Sequence, residues 1–181
     1  MTVWHCYIAA SLDMKIARPD GSVDWLTGGG EGGGGSGPPE EFGYAAFYAS
    51  VDAILMGRGT YDVVRGMGEW PYPGKKVVVL TSRPLDDAPP LVEARRGDIA
   101  ALVAELEAAG HARIWVEGGG EVLKQMMAIG RLDVLEVAVL PLVLGTGIAL
   151  FPEGTRESAF RLASCTARGG GVLHLIYERA A

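Results

Sequence analysis

Cysteine is scarce in this sequence. Cys6 and Cys165 are the only two, and they stand far apart, each inside an apolar-leaning stretch. A disulfide framework or a zinc site needs more thiols at tighter spacing, so both are expected to be buried thiols in a reducing compartment. Runs of positive charge are missing as well. No Lys/Arg run reaches four residues and the formal net charge is -6, which removes the electrostatic footprint that nucleic-acid binding requires. Long apolar runs are also lacking: no stretch approaches about 18 uninterrupted apolar residues, so no membrane span is expected. The segment 1–10 has no basic start followed by a long apolar run, so it does not read as a signal peptide. A cytoplasmic protein is the expectation that remains.

What is present suits one packed domain. The chain has 181 residues, 49% hydrophobic and 21% charged, enough for a single well-buried core and too few for two comfortable ones. Short apolar runs alternate with helical periods. Strands are expected at 3–10, 53–56, 76–80, 113–116 and 134–140, with a closing pair at 160–167 and 172–177 joined by Gly169-Gly170-Gly171, a hairpin turn. Helices are expected at 40–50, 98–109 and 121–129. The second of these has Asp98 as N-cap, Ile99, Leu102, Val103 and Leu106 on one face, and Gly110 as its stop. The order predicts an α/β fold with a mixed, mostly parallel sheet flanked by helices and an antiparallel C-terminal hairpin. Residues 28–37 hold eight glycines in ten positions and are expected to form a flexible loop.

Three strand ends carry groups suited to phosphate. In Val116-Glu117-Gly118-Gly119-Gly120-Glu121-Val122-Leu123 a strand runs through three glycines into a helix, where bare backbone and the first free N–H groups favour an anion. The spacing is not the Rossmann fingerprint, because Leu123 stands where a third, spaced glycine belongs. Met56-Gly57-Arg58-Gly59-Thr60-Tyr61 places a guanidinium beside glycine and hydroxyl at another strand end. Thr81-Ser82-Arg83 does the same at a third. Ligands of α/β sheets bind outside the carboxyl ends of strands, so the three are expected to converge on one long, phosphate-bearing ligand.

These residues resemble a known family. Ala9-Ala10-Ser11-Leu12-Asp13-Met14-Lys15-Ile16-Ala17, Asp20 to Trp25, Met56 to Tyr61, the triple glycine and the run from Asp133 to Phe151 are similar, in order, to motifs of the RibD C-terminal/dihydrofolate reductase superfamily. The resemblance implies a reductase domain binding NADPH across the strand ends. Nicotinamide would lie near Ala9, Ala10 and Ile16 under a loop containing Trp25. The pyrophosphate would meet Gly118, Gly119, Gly120 and the helix start at Glu121 and Val122, with Gly57, Arg58 and Thr60 opposite. The 2′-phosphate would lie near Arg58, Thr81, Ser82 and Arg83, giving preference for NADPH over NADH. Ser11, Asp13, Lys15 and Trp25 are the substrate candidates, with Lys15 and Ser11 on a substrate phosphate. Glu41 is the candidate proton donor, by its spacing before Gly57. Many relatives have glycine where this chain has Met14.

The substrate implied is a heterocycle or a ribosylamino-pyrimidine, as in 5-amino-6-(5-phosphoribosylamino)uracil reductases of riboflavin biosynthesis. A dihydrofolate reductase is the rival enzyme, and a nucleotide-binding dimer without turnover is the rival of another class. The partner zinc deaminase of two-domain riboflavin enzymes is not encoded: His5, His111 and His174 are isolated and no C-x-x-C exists, so no metal is expected. A homodimer is expected from the resemblance and from the apolar run 137–150. Gly120→Asp is expected to block the cofactor and spare the fold.

Overall fold

A computed structural model describes residues 1–26 and 43–180. In chain order the elements are β1 (Val3–Ser11), β2 (Lys15–Ala17), α1 (Tyr44–Ser50), β3 (Ala53–Gly57), α2 (Arg58–Gly66), β4 (Lys76–Leu80), β5 (Val92–Arg95), α3 (Ile99–Ala108), β6 (Arg113–Gly118), α4 (Gly120–Ala128), β7 (Val134–Leu140), β8 (Ile148–Ala149), β9 (Phe160–Ala167) and β10 (Leu173–Arg179). Eight strands form one sheet in the order β5-β4-β3-β6-β1-β7-β10-β9, and β2 pairs with β8 in a small second sheet. From β5 to β7 the pairing is parallel, and the two C-terminal strands run antiparallel. This is the mixed sheet that the alternation of apolar runs and helical periods predicts.

Strand periodicity explains why both faces are covered. Side chains of a strand point alternately to opposite faces. Ala53, Leu55, Val78, Ile114 and Val116 therefore join α3 and α4 in the larger core, through Leu102, Leu106, Leu123 and Met126. Their neighbours Ile54, Met56, Val77, Val79 and Trp115 join Phe47 of α1 and Tyr61 and Val64 of α2 in a second core. Strands buried on both faces read as near-continuous apolar runs, which is why β3, β4 and β6 are legible. Helix α3 begins as expected, with the Asp98 carboxylate accepting from Ala101 N.

The second core contains a buried polar relay. His5 and His174 each donate Nε2–H to one carboxylate, Glu136, at 2.8 and 2.7 Å. Arg113 lies 2.6 Å from His5 Nδ1; a guanidinium only donates, so that nitrogen accepts and the proton sits on Nε2. Burial raises the Glu136 pKa, but the two histidine hydrogen bonds outweigh it and hold the carboxyl below its ordinary value.

Several expectations are corrected. Arg58 opens helix α2 directly, with no side chain capping it; this helix is not among those expected. Strand β5 was not anticipated, because VEAR is short, charged and at the sheet edge. The last strand begins at Leu173 and runs to Arg179. Cys6 is buried, but Cys165 is exposed on the edge strand β9. The apolar run 137–150 is mostly covered by the chain's own core, with Val137, Val139, Leu140 and Leu150 buried and only Val143 and Ile148 among its large apolar side chains exposed. The glycine-rich segment 28–37 lies outside the described residues. Among the described residues no helix is long and apolar enough to cross a membrane, and no cluster of side chains suits a metal.

Met14 adopts φ +55°, the left-handed region that costs a side-chain-bearing residue roughly 1–2 kcal/mol. Met14→Gly is expected to raise the melting temperature, the relief of strain exceeding the entropy cost of glycine. A fall in Tm would show that the half-exposed Met14 side chain contributes packing.

Candidate functional site

A cavity of about 1020 Å³ opens at the carboxyl ends of β1, β3, β4, β5 and β6. It runs across the sheet order, so its two ends carry different chemistry.

At its middle, β6 enters α4 through the three glycines. Gly118 has φ +114° and the Gly118–Gly119 peptide is cis. The hydrogen-bond ladder of α4 begins with Val122 and Leu123 N–H on Gly119 O, so the N–H groups of the preceding turn face the cavity mouth, where the positive end of the helix dipole favours an anion. The glycines differ in what they require. A Cβ on Gly119 would lie 3.4 Å from Thr60 Oγ1 and 3.8 Å from Ile16 Cδ1, so bare backbone keeps the gap between α2 and β2 open. A Cβ on Gly120 would lie 2.5 Å from Ala149 O and 2.9 Å from Pro152 Cγ. Gly120 is thus needed for packing against β8, and the expectation that Gly120→Asp spares the fold is corrected. Gly120→Ala alone is expected to destabilise by about 1–3 kcal/mol through overpacking; an unchanged Tm would show that the β8 segment yields freely.

One end is cationic and hydroxylic. Arg58, Thr60, Thr81 and Ser82 line it, as the sequence suggests, and Gly57, Glu121 and Val122 line it too. The Arg58 guanidinium is not free: it donates to Asp62 at 2.6 Å and to Pro84 O at 2.9 Å. Arg83 is two-thirds exposed, 3.8 Å from the same Asp62, and its side chain is not part of the cavity wall. Sequence reasoning missed Arg95, Arg96 and Gly97, which line the cavity from the end of β5. Arg95 is held by Glu93 and Glu105, whereas Arg96 has no ion-pair partner among the described residues. The signal was present as Arg-Arg-Gly before the Asp98 cap, but it depended on recognising β5.

The other end is aromatic and holds a buried acid. Tyr7, Ala9, Leu26, Tyr44, Trp115 and Glu117 form it. Tyr7 is backed by Phe47, ring centroids 4.7 Å apart and nearly parallel, and Trp115 Nε1 donates to Tyr7 O at 3.1 Å, tying the walls together. Glu117 shares the face of Trp115, two residues on. Tyr72 donates a short hydrogen bond to its Oε1, while Oε2 is buried without a partner. Burial pushes the Glu117 carboxyl up to about 7, the Tyr72 hydrogen bond opposing only in part. Desolvation and the Glu117 charge push Tyr44 up to about 12 and Tyr72 well above its ordinary value. Sequence reading quoted Glu117 only as the residue before the glycines; nothing in one sequence tells a buried carboxyl from an exposed one.

The remaining sequence candidates lie elsewhere. Ile16 lines the cavity with Ala9, but Ala10 is fully buried in the larger core. Gly118 is buried just beneath the glycine turn. Ser11 is fully buried and donates to Asp13 at 2.7 Å. Asp13 also accepts from Leu144 N and Gly145 N, so the pair fastens the β1–β2 turn to the loop after β7. Lys15 pairs with Ala149 in the small sheet and is not in the cavity wall. Trp25 is buried with Leu140 and Val172 as a pillar behind the wall. Glu41 lies outside the described residues.

The sequence model of the RibD C-terminal domain matches residues 5–174. The chain belongs to the RibD C-terminal domain family. Within reach of that family, it is 37% identical over 176 residues to the uncharacterized protein YwjB of Bacillus subtilis, covering 96% of each chain. It is similar to the crystal structure of a putative riboflavin biosynthesis protein from Shewanella sp. PV-4, with TM-score 0.86 and 26% identity over 99% of both chains. It also superposes, with TM-score 0.71 and 17% identity, on 57% of a Thermotoga maritima protein titled a diaminohydroxyphosphoribosylaminopyrimidine deaminase/5-amino-6-(5-phosphoribosylamino)uracil reductase. That likeness covers 99% of this chain and concerns the fold. The cavity thus lies in a RibD C-terminal domain fold.

Proposed function

We propose that this RibD C-terminal domain chain is an NADPH-dependent reductase that adds hydride and a proton across a C=N or C=O bond of a pyrimidine-type heterocyclic substrate. One observation carries the reading: a single cavity joins guanidinium, hydroxyl and bare glycine backbone at one end to an enclosed, protonatable carboxyl at the other.

The residues fit a dinucleotide. From Arg96, just past the end of β5, to Tyr7 on β1 the sheet order spans four strand spacings, about 19 Å at roughly 4.8 Å each. The open backbone at Gly119 and the first turn of α4 suit a pyrophosphate, with Thr60 across the gap and Arg58 beside it. Thr81, Ser82 and the uncommitted Arg96 suit the 2′-phosphate of the adenine ribose. Ala9, Ile16 and Ala17 offer a flat apolar face for the reactive ring. A reduced nicotinamide, when bound, supplies the hydride. Glu117, which lines the cavity, holds the proton, and Tyr72, donating to Oε1, fixes the orientation of the carboxyl. Closed aromatic walls keep water from the acid.

Titrating the folded protein with each cofactor and following tryptophan fluorescence tests the reading. NADPH is expected to bind more tightly than NADH; a folded protein binding neither would refute it. We keep a homodimer as part of the same reading. Its support is the edge strand β9, whose outer side has no partner among the described residues, together with exposed Leu162 and Leu173. Light scattering that finds a monomer at micromolar concentration would remove it.

A further inference from the structure

Resting on the reductase reading, we infer that the substrate of this chain is a planar heterocycle carrying no phosphate group. The end of the cavity remote from Arg95 and Arg96 decides this. Its walls are rings held flat by packing: Tyr7 lies against Phe47, and Tyr44 meets Trp115 edge-on with centroids 6.1 Å apart. Such faces suit a planar π-system. Glu117 lies among them with one carboxyl oxygen unpartnered, placed to hydrogen-bond the polar edge of a neutral heterocycle.

A phosphate at this end has no partner. The cations lining the cavity are Arg58, Arg95 and Arg96, carried by β3/α2 and β5, whereas the aromatic end is built on β6, β1 and α1. Arg58 turns away from β6, toward Asp62 and the Pro84 carbonyl. The other described cations on the surrounding elements are not part of the cavity wall, Lys15 of β2 among them. Arg18 makes two hydrogen bonds to Asp24. Lys75 donates to Val51 O and lies over the Tyr48 ring. Arg113 and Arg168 face His5 and His174. Residues 27–42 contain three glutamates and no Lys, Arg or His, so they bring no cation to any site. A phosphoryl group needs charge-assisted donors to replace its water, and beside Glu117 it would find only a neutral carboxyl and aromatic rings. The Thermotoga maritima relative is titled for a phosphoribosylamino substrate; the chemistry of this cavity differs from what that substrate demands.

The test uses the full chain and a matched pair of ligands: a pyrimidine bearing a ribosylamino arm, with and without its 5′-phosphate. Calorimetric titrations are run on the protein alone and with saturating NADPH, and NADPH binding is measured separately. The unphosphorylated member is expected to bind at least tenfold more tightly. Equal or tighter binding of the phosphorylated member overturns the inference, and so does failure of both to bind. If NADPH fails to bind, the reductase reading falls, while the pair compared on the protein alone still decides the substrate question.

Discussion

Glu117→Gln is expected to cut turnover by roughly 10²–10⁴-fold, the range of a positioned general acid, while leaving NADPH affinity nearly unchanged. The amide is isosteric and still accepts from Tyr72 at its oxygen, so loss of activity will not reflect loss of shape. The pH profile separates proton donation from positioning. With the Glu117 carboxyl pushed up to about 7 by burial, wild-type turnover should fall as pH rises through about 7, because only the protonated form donates. The variant's residual rate should lack that limb. Stability has its own sign. A carboxyl whose folded pKa exceeds its ordinary value of 4.5 takes up a proton on folding, so its contribution is greatest below 4.5 and is lost as pH rises toward 7. Integrated by proton linkage, the loss is roughly 3 kcal/mol, and the variant should be the more stable protein at pH 8. A variant that keeps wild-type turnover would remove Glu117 from the chemistry.

Arg96→Ala is expected to weaken NADPH binding by roughly 10- to 150-fold and leave NADH binding nearly unchanged. One charge-assisted hydrogen bond to phosphate contributes about 1.5–3 kcal/mol, and about 1.4 kcal/mol is a factor of ten. The effect should shrink in high salt. Arg58→Ala should weaken both cofactors together, since Arg58 is committed to Asp62 and Pro84 O and steadies the start of α2. Arg83→Ala should do little, because its side chain is two-thirds exposed and off the cavity wall. Equal loss of both cofactors in the Arg96 variant would transfer 2′-phosphate selection elsewhere.

Most strands were legible in the sequence because burial on both faces leaves uninterrupted apolar runs such as Val77-Val78-Val79. Helix α3 was legible because its cap, its face and its stop agree. Strands β2, β5 and β8 were not, since two to four residues carry no period and their pairing is set by distant partners. The same limit shaped the site. Arg58 and Thr60 are announced by a local motif, whereas Arg96 becomes visible only once β5 is placed at the sheet edge. Ser11 and Asp13 look chemical in sequence, yet they fasten one turn to a loop some 130 residues away. Gly120 looks like a phosphate cradle and does line the cavity, but the close approach of Ala149 O demands its bare backbone as well. Glu117, the proton donor we propose, is hidden in the sequence because its burial depends on distant partners such as Tyr72.

The position of β1 governs how the chain is made. It is first in sequence but lies inside the sheet, with Val3 opposite Arg113 and His5 opposite Val134. At about 5–20 residues per second, both of its neighbours leave the ribosome on the order of ten seconds after it does. During that interval the apolar strand carrying Trp4, Cys6 and Ile8 has neither edge paired, a state that invites capture by chaperones or by another nascent chain. Closure of these long loops is the slow, entropically costly step of folding. Fragments ending before β7 should therefore stay insoluble or chaperone-bound, and yield should improve when translation is fast relative to aggregation.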